Sequence, residues 1–278
     1  MPSYLRVVIT FVLMMTMLAS CEDDDNGSTP DPNNTTTPED TANPQDNNQT
    51  PDDMVYGQAQ IQWEHYVGDQ PLELDQRTYT NANGDTFAVS KWNYYITDLQ
   101  LVHEDGRRFA LEPRHILVRE EASETKQHTI DSLPPGRYTQ IQYTIGLDSL
   151  TNMREDKIQE GALNPLFGMY WRWATGYIFV KFEGRSPNAD SSNNALTYHI
   201  GGSQDFAADR AIRLDIDTEL EQGQTLDLRL RADLAELFTN PHPVDFLDFP
   251  GTMQIGPKSK RIADNYARMF SVTSVDVQ

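Results

Sequence analysis

The sequence predicts an all-β fold, a single β-sandwich-like domain with a few short helices. Three observations carry that expectation. From residue 55 the chain alternates between two sets of residues with a period of two. Further short alternating runs follow, each closed by Gly, Pro, Asn or Asp. No long stretch shows helical periodicity. Many short strands with turn residues at regular spacing are the pattern of a sandwich or barrel.

The first run is the clearest. Val55, Gly57, Ala59, Ile61, Trp63, His65 and Val67 occupy one face, and Tyr56, Gln58, Gln60, Gln62, Glu64 and Tyr66 the other. Successive side chains of a strand point to opposite faces, so Trp63 and His65 point inward together and Glu64 points away. An Asn-Gly turn in NANGD (81–85) precedes the strand TFAVSKW. YYITDLQLVHEDGRRFAL reads as a hairpin through Glu104-Asp105-Gly106. In 133–147 a Pro-Gly turn leads into alternation at Tyr138, Ile141, Tyr143 and Ile145. GYIFVKFEG (176–184) reads as one mostly apolar strand, and 211–234 as two alternating strands joined near Gly223. SPNADSSNNA (186–195) reads as a polar hairpin or loop. Short helices are expected at 232–238 and at 261–270, the latter with Ile262, Tyr266 and Phe270 on one side.

The residues before 54 are of another kind. Arg6 and the apolar run VVITFVLMMTMLA (7–19) have the layout of an export signal, too short to span a membrane as a helix. Leu18-Ala19-Ser20-Cys21 matches a bacterial lipoprotein processing site. The expected division is a signal peptide at 1–20, a lipidated Cys21 with a disordered acidic tether at 21–53, and the folded domain at 54–278. The tether has no aromatic or branched aliphatic residue, so it has little to bury against its chain entropy. These features place the protein in the cell envelope, lipid-anchored to the outer membrane on its periplasmic face or at the cell surface.

Charge and cysteine usage exclude several chemistries. The net charge is −20, and the tether holds ten of the 42 acidic residues with no Lys or Arg. The remaining domain is still acidic, which argues against nucleic acid and against a basic membrane-docking face. Cys21 is the one cysteine, so the domain has no disulfide, no thiolate metal site and no cysteine nucleophile. Zincin, nucleophile-elbow, Walker and dinucleotide-binding motifs are all missing from the chain.

Six histidines remain as candidates. His103, His128 and His242 lie near turns or in polar runs and read as solvated, and His115 sits ambiguously before an apolar triplet. His65 differs because it shares an inward face with Trp63. His199 differs because YHIGG places two glycines after it, which let a backbone or a ligand come close. In GLDSLTNMREDK (146–157), Asp148, Asn152, Glu155 and Asp156 offer oxygen donors. Their spacing fits no EF-hand, and a solvated loop is the expectation.

The segments WEHYVGDQPLEL, YTNANGDTFAVSKWNYYITDLQLV, LPPGRYTQIQYTIGLDSLTN, NPLFGMYWRWATGYIFVKFEG, YHIGG and IADNYARMF together resemble the MbnP-like family of copper-binding periplasmic proteins, associated with methanobactin. The resemblance runs over almost all of 55–270. It implies an exported β-sandwich-like domain that binds copper, and the expectation for this chain is a binding protein, not an enzyme. It also implies a di-haem cytochrome c peroxidase-like partner able to oxidise a tryptophan to kynurenine. By the same resemblance His65 and His199 are the expected metal ligands. Trp63 is an expected ligand or modified residue, and Trp171, Trp173 and Met169 are additional candidates. Imidazole suits copper, and without a thiol a blue-copper site is excluded. Two other functions stay open. One is a surface module that binds glycan or protein through a row of exposed aromatics. The other is a redox partner whose tryptophans relay electrons to a haem protein.

Overall fold

Period-two alternation becomes two facing sheets. The computed structural model describes residues 54–154, 160–173 and 176–278. The expected signal, Cys21 and tether, with Glu155 and Asp156, lie outside these residues. The strands are β1 (Gly57–Val67), β2 (Gln70–Pro71), β3 (Thr78–Thr80), β4 (Thr86–His103), β5 (Arg108–Ala110), β6 (His115–Arg119), β7 (Gln127–Leu133) and β8 (Gly136–Ile145). They continue as β9 (Tyr170–Trp171), β10 (Gly176–Tyr177), β11 (Val180–Arg185), β12 (Ala195–Ile200), β13 (Arg210–Leu220), β14 (Thr225–Asp233), β15 (Gly251–Thr252) and β16 (Phe270–Val277). The helices are α1 (Ser149–Met153) and α2 (Pro257–Tyr266).

One sheet runs in the order β16-β14-β1-β2, with β7 also on β1. The larger one runs β13-β8-β4-β11-β12-β15, with β3, β5 and β6 on β4. In β1 the odd residues from Gly57 to Val67 are buried, while the even ones are half-buried or exposed. The inner face of the smaller sheet carries Ala59, Ile61 and Trp63, and that of the larger one Trp92, Tyr94, Tyr143 and Phe182. The fold is thus the expected all-β sandwich, with mixed rather than purely antiparallel pairing. β1 and β14 run parallel.

The long strand β4 is buried without interruption from Trp92 to Leu99, apart from Asp98. A half-solvated strand alternates, so unbroken burial means that both faces are covered. The outer cover comes from residues 160–173 and 176–179. Tyr95 on that face donates to the Ala162 carbonyl (3.1 Å) and packs edge-on against Tyr177 (5.9 Å).

Three expectations need correction. The run 176–184 is two strands: β10 pairs with β9, and β11 pairs with β4 and β12. The chain changes partner at Ile178 and Phe179, whose N–H groups donate to Met169 and Ile200. The two strands in 211–234, joined near Gly223, are as read, and they lie in different sheets, so Gly223 sits in a crossing between layers. The second helix starts earlier than expected, at Pro257, and ends at Tyr266, which leaves Phe270 in β16. Proline suits the first helical turn, where its missing N–H has no intrahelical partner to lose. The 232–238 segment forms only a short 3-10 turn at Leu234–Phe238. The Asn81–Asp85 turn, the Asp105-Gly106 hairpin and the 186–195 hairpin connection are as read.

Candidate metal centre

β1 carries Trp63 and His65 inward between the sheets, as alternation requires, and both are buried. Glu64 points the other way and pairs with Arg229 at 3.3 Å. His65 is held at both ring nitrogens. Nδ1 meets the carboxylate of Glu120, and Nε2 lies 2.9 Å from the Tyr94 hydroxyl. A carboxylate only accepts, so Nδ1 carries the proton and donates to Glu120. Nε2 then presents its lone pair and accepts from Tyr94. Glu120 in turn accepts from Lys126 Nζ at 3.1 and 3.0 Å. A carboxylate behind a histidine fixes the ring and its tautomer, the arrangement that supports metal-ligating imidazoles.

Burial lowers the proton affinity of His65 by more than Glu120 raises it, so the ring is neutral. Burial pulls the Glu120 carboxyl upward, but the His65 hydrogen bond and Lys126 outweigh it and leave Glu120 below its usual value. The two shifts have one consequence for stability. Below 6.5 the unfolded imidazole takes up a proton that the folded one refuses, so the unfolded state binds more protons and stability falls as pH falls. Glu120 contributes stability that is full above 4.5 and is lost as pH falls through its lower folded value. We therefore expect the thermal midpoint to drop from pH 7 to pH 4. A His65→Phe variant, followed by circular dichroism, will show a shallower slope between pH 7 and 5. An equal slope in both proteins would mean that other groups set the acid sensitivity.

The sequence reading missed a histidine at this site. His128 pairs with Ile61 across β1 and β7, which puts it on the inner face of the edge strand. Its ring meets Trp63 edge-on at 5.6 Å. Nε2 donates to the Thr125 carbonyl (3.1 Å), and Nδ1 makes no hydrogen bond among the described residues. His128 is half-buried and lines a cavity of about 960 Å³. The polar run TKQHT suggested a solvated residue. The two-residue step from His128 to Ile130 is the signal that places both on the core side.

Trp63 Nε1 and the Tyr143 hydroxyl are buried beside each other with ring centroids 6.3 Å apart, and neither completes a well-formed hydrogen bond. A buried polar atom left unpaired costs about 1–3 kcal/mol.

His199 does not join this group. Its neighbours Tyr198 and Ile200 point into the core, so His199 points out of the opposite face of the larger sheet. There it donates to Glu183 (2.8 Å), and this hydrogen bond holds the Glu183 carboxyl down at about 2. The glycines after it accommodate backbone. A Cβ on Gly201 would collide with the Tyr177 carbonyl and the Trp171 ring, and one on Gly202 with the Phe206 carbonyl. Met169 and Trp171 are buried in the segment over that outer face, and Trp173 is 66% exposed beside Trp171. The expected His65/His199 pair is therefore split by the larger sheet, and Met169, Trp171 and Trp173 lie on the side of His199.

The loop at 146–157 is tied down among its described residues. Asp148 caps α1 and pairs with Arg114 (3.1 Å), and buried Asn152 accepts from Tyr177 N–H (2.8 Å). His103 is buried against Tyr138, contrary to its solvated reading. His115 is half-buried beside Thr97, and His242 is partly exposed and lies 3.4 Å from Asp264. Among the described residues, no three His, Cys, Asp or Glu side chains converge as a metal site. The β1/β7 register sets His128 opposite Ile61, four residues along β1 from His65, with Trp63 between the two histidines.

The family model for MbnP matches residues 56–254. The solved structure of MbnP from Methylosinus trichosporium is similar to this chain, at 14% identity with a TM-score of 0.48, over 72% of this chain and 82% of that one. No curated protein matches the chain.

Proposed function

Because this chain belongs to the MbnP family, we propose that it is a copper-binding protein of the cell envelope, not an enzyme, that stores, buffers or transfers the ion. The observation that carries the proposal is the placement of Trp63 and His65 on the inner face of β1, with His128 of β7 edge-on to Trp63 at 5.6 Å. Imidazoles suit copper in both of its common oxidation states. Glu120 fixes the His65 tautomer so that Nε2 is the ligating atom, and His128 offers Nδ1.

Trp63 completes the set only after a chemical change. An indole N–H is a donor without a free lone pair. A haem peroxidase supplied with two equivalents of hydrogen peroxide would insert two oxygen atoms across the indole C2–C3 bond, with two waters released. Hydrolysis then removes formate and leaves kynurenine, whose arylamine nitrogen has a lone pair. His199 stands outside the proposed site because the larger sheet separates it from His65.

The contact-platform alternative needs exposed aromatics in a row. Trp63, Trp92 and Trp171 are buried, and Trp173 is the exposed tryptophan, so the tryptophans form no such row. The decisive experiment is copper analysis and peptide mass spectrometry on protein made in its own host, with and without its di-haem peroxidase partner. We expect stoichiometric copper and an oxidised Trp63 only when the peroxidase is present. Substoichiometric copper in the wild type, or unchanged affinity in a His65→Ala/His128→Ala double variant, would sink the proposal.

A further inference from the structure

We propose that the outer face of the smaller sheet is a second binding site, a polar trough that takes a neutral oligosaccharide. It lies on the side of β1 away from Trp63 and His65 and is independent of the copper reading. The strand register builds it. Gln60 of β1 stands between Thr129 of β7 and Asp227 of β14, and Asp276 of β16 stands beyond Asp227. In the next row Gln62 stands between Gln127 of β7 and Arg229 of β14. The residues that alternate with them, Ile61, Ile130, Leu226 and Leu228, are buried, so both rows face outward. Together with Glu112 and Glu124 the rows line the cavity of about 960 Å³. That size lies at the upper end of the range of about 300–1,000 Å³ for small-ligand sites.

Charge and hydrogen bonding choose the ligand. Among the described residues the lining holds four carboxylates, on Glu112, Glu124, Asp227 and Asp276, against the one guanidinium of Arg229. Phosphates, sulfates and acidic sugars are therefore repelled. The large apolar residues at the trough, Ile61, Leu111 and Leu228, are buried, so an apolar ligand finds little surface to cover. No three His, Cys, Asp or Glu side chains among the described residues converge on a metal position. What the face offers is donors and acceptors side by side. Gln60, Gln62 and Gln127 make no side-chain hydrogen bond among the described residues. Each amide has two N–H donors and a carbonyl acceptor to give. Asp227 is held by Gln278, which donates at 2.6 Å, and Arg229 by Glu64 at 3.3 Å. A hydroxyl both donates and accepts, so a polyol satisfies such a mixed set, whereas an amine or an anion satisfies half of it. Neighbouring strands lie about 4.8 Å apart, close to the length of one sugar ring. A glycan laid across β7, β1, β14 and β16 thus presents one ring to each strand, about four in all.

The test is affinity electrophoresis of the full chain in gels holding a soluble glucan, mannan, xylan or galactan. Polygalacturonate serves as the anionic control, and titration with poly-lysine as the cationic one. We expect at least one neutral polysaccharide to retard the protein and polygalacturonate not to. Gln60→Ala/Gln62→Ala will weaken that retardation by about tenfold or more, the worth of two net hydrogen bonds. Its thermal midpoint will stay close to that of the wild type, since both side chains leave from the outer face. Gln127→Ala, on the edge strand, will show a smaller loss in the same direction without touching β1. Absence of retardation by all four neutral polymers overturns the proposal. So does retardation that is equal in the wild type and in both variants, because the glycan would then sit elsewhere. Binding to poly-lysine with none to the neutral polymers assigns the face to a basic protein and overturns it as well.

Discussion

His65→Ala will abolish copper binding and destabilise the domain by roughly 3 kcal/mol, the scale of a lost hydrogen bond to a buried charged group together with an orphaned hydroxyl. The two effects have one origin. The imidazole joins the sheets, with Glu120 on one nitrogen and Tyr94 on the other. Its removal leaves a carboxylate that only Lys126 still balances, a phenol without an acceptor, and a cavity where the ring was. His199→Ala separates function from fold. That side chain sits on the outer face with Glu183, and its loss will leave copper affinity unchanged. Copper titration and urea unfolding of both variants check the pair. Equal copper loss in His65→Ala and His199→Ala would show that the outer histidine takes part after all.

The second large effect is expected far from His65. Phe238→Ala will cost about 3–5 kcal/mol, as do other aromatic deletions from packed cores. Phe238 lies at the hub of an aromatic cluster and meets Phe246 (5.0 Å), Phe182 (5.2 Å), Tyr198 (5.5 Å) and Phe87 (5.6 Å). It is delivered by the 3-10 turn that follows β14, and α2 braces that turn through Asn265, which donates to the Leu237 carbonyl (2.9 Å). The small helical elements thus plug one part of the sandwich. Urea unfolding will show a lower midpoint with little change in slope, and copper stoichiometry will persist below that midpoint. A loss within 1 kcal/mol would mean that the neighbouring rings collapse into the space.

Much of this was legible because a strand writes its burial into alternate positions. Trp63 and His65 could be assigned to the core, and Glu64 excluded from it, without a structure. The same rule had the information to exclude His199: in LTYHI the apolar residues Leu196, Tyr198 and Ile200 claim one face and leave His199 the other. Family likeness drew attention to the histidine and its glycines instead. The glycines answer to Tyr177, Phe206 and Trp171, close approaches between segments that no local pattern encodes. His128 was missed for the opposite reason. β7 is an edge strand with few apolar residues, so its alternation is faint. Glu120 was out of reach from sequence, since VREEAS has the composition of a surface turn. Its burial depends on a histidine 55 positions away.

The parallel pairing of β1 with β14 sets an order of events. Gln58 and its side-chain partner Thr225 are 167 residues apart, and β14 is closed on its other side by β16 near the end of the chain. Contacts between such distant segments carry a loop-closure cost before they repay it, and domains rich in them fold slowly. β1 emerges first and waits for the last strands before it has both neighbours in the smaller sheet. An indole and an imidazole that end up among the most enclosed groups of the protein therefore gain their full enclosure only once β14 has paired with β1. Any chemistry that must touch the Trp63 ring directly has its easiest access before β14 docks, and afterwards must reach it through the protein.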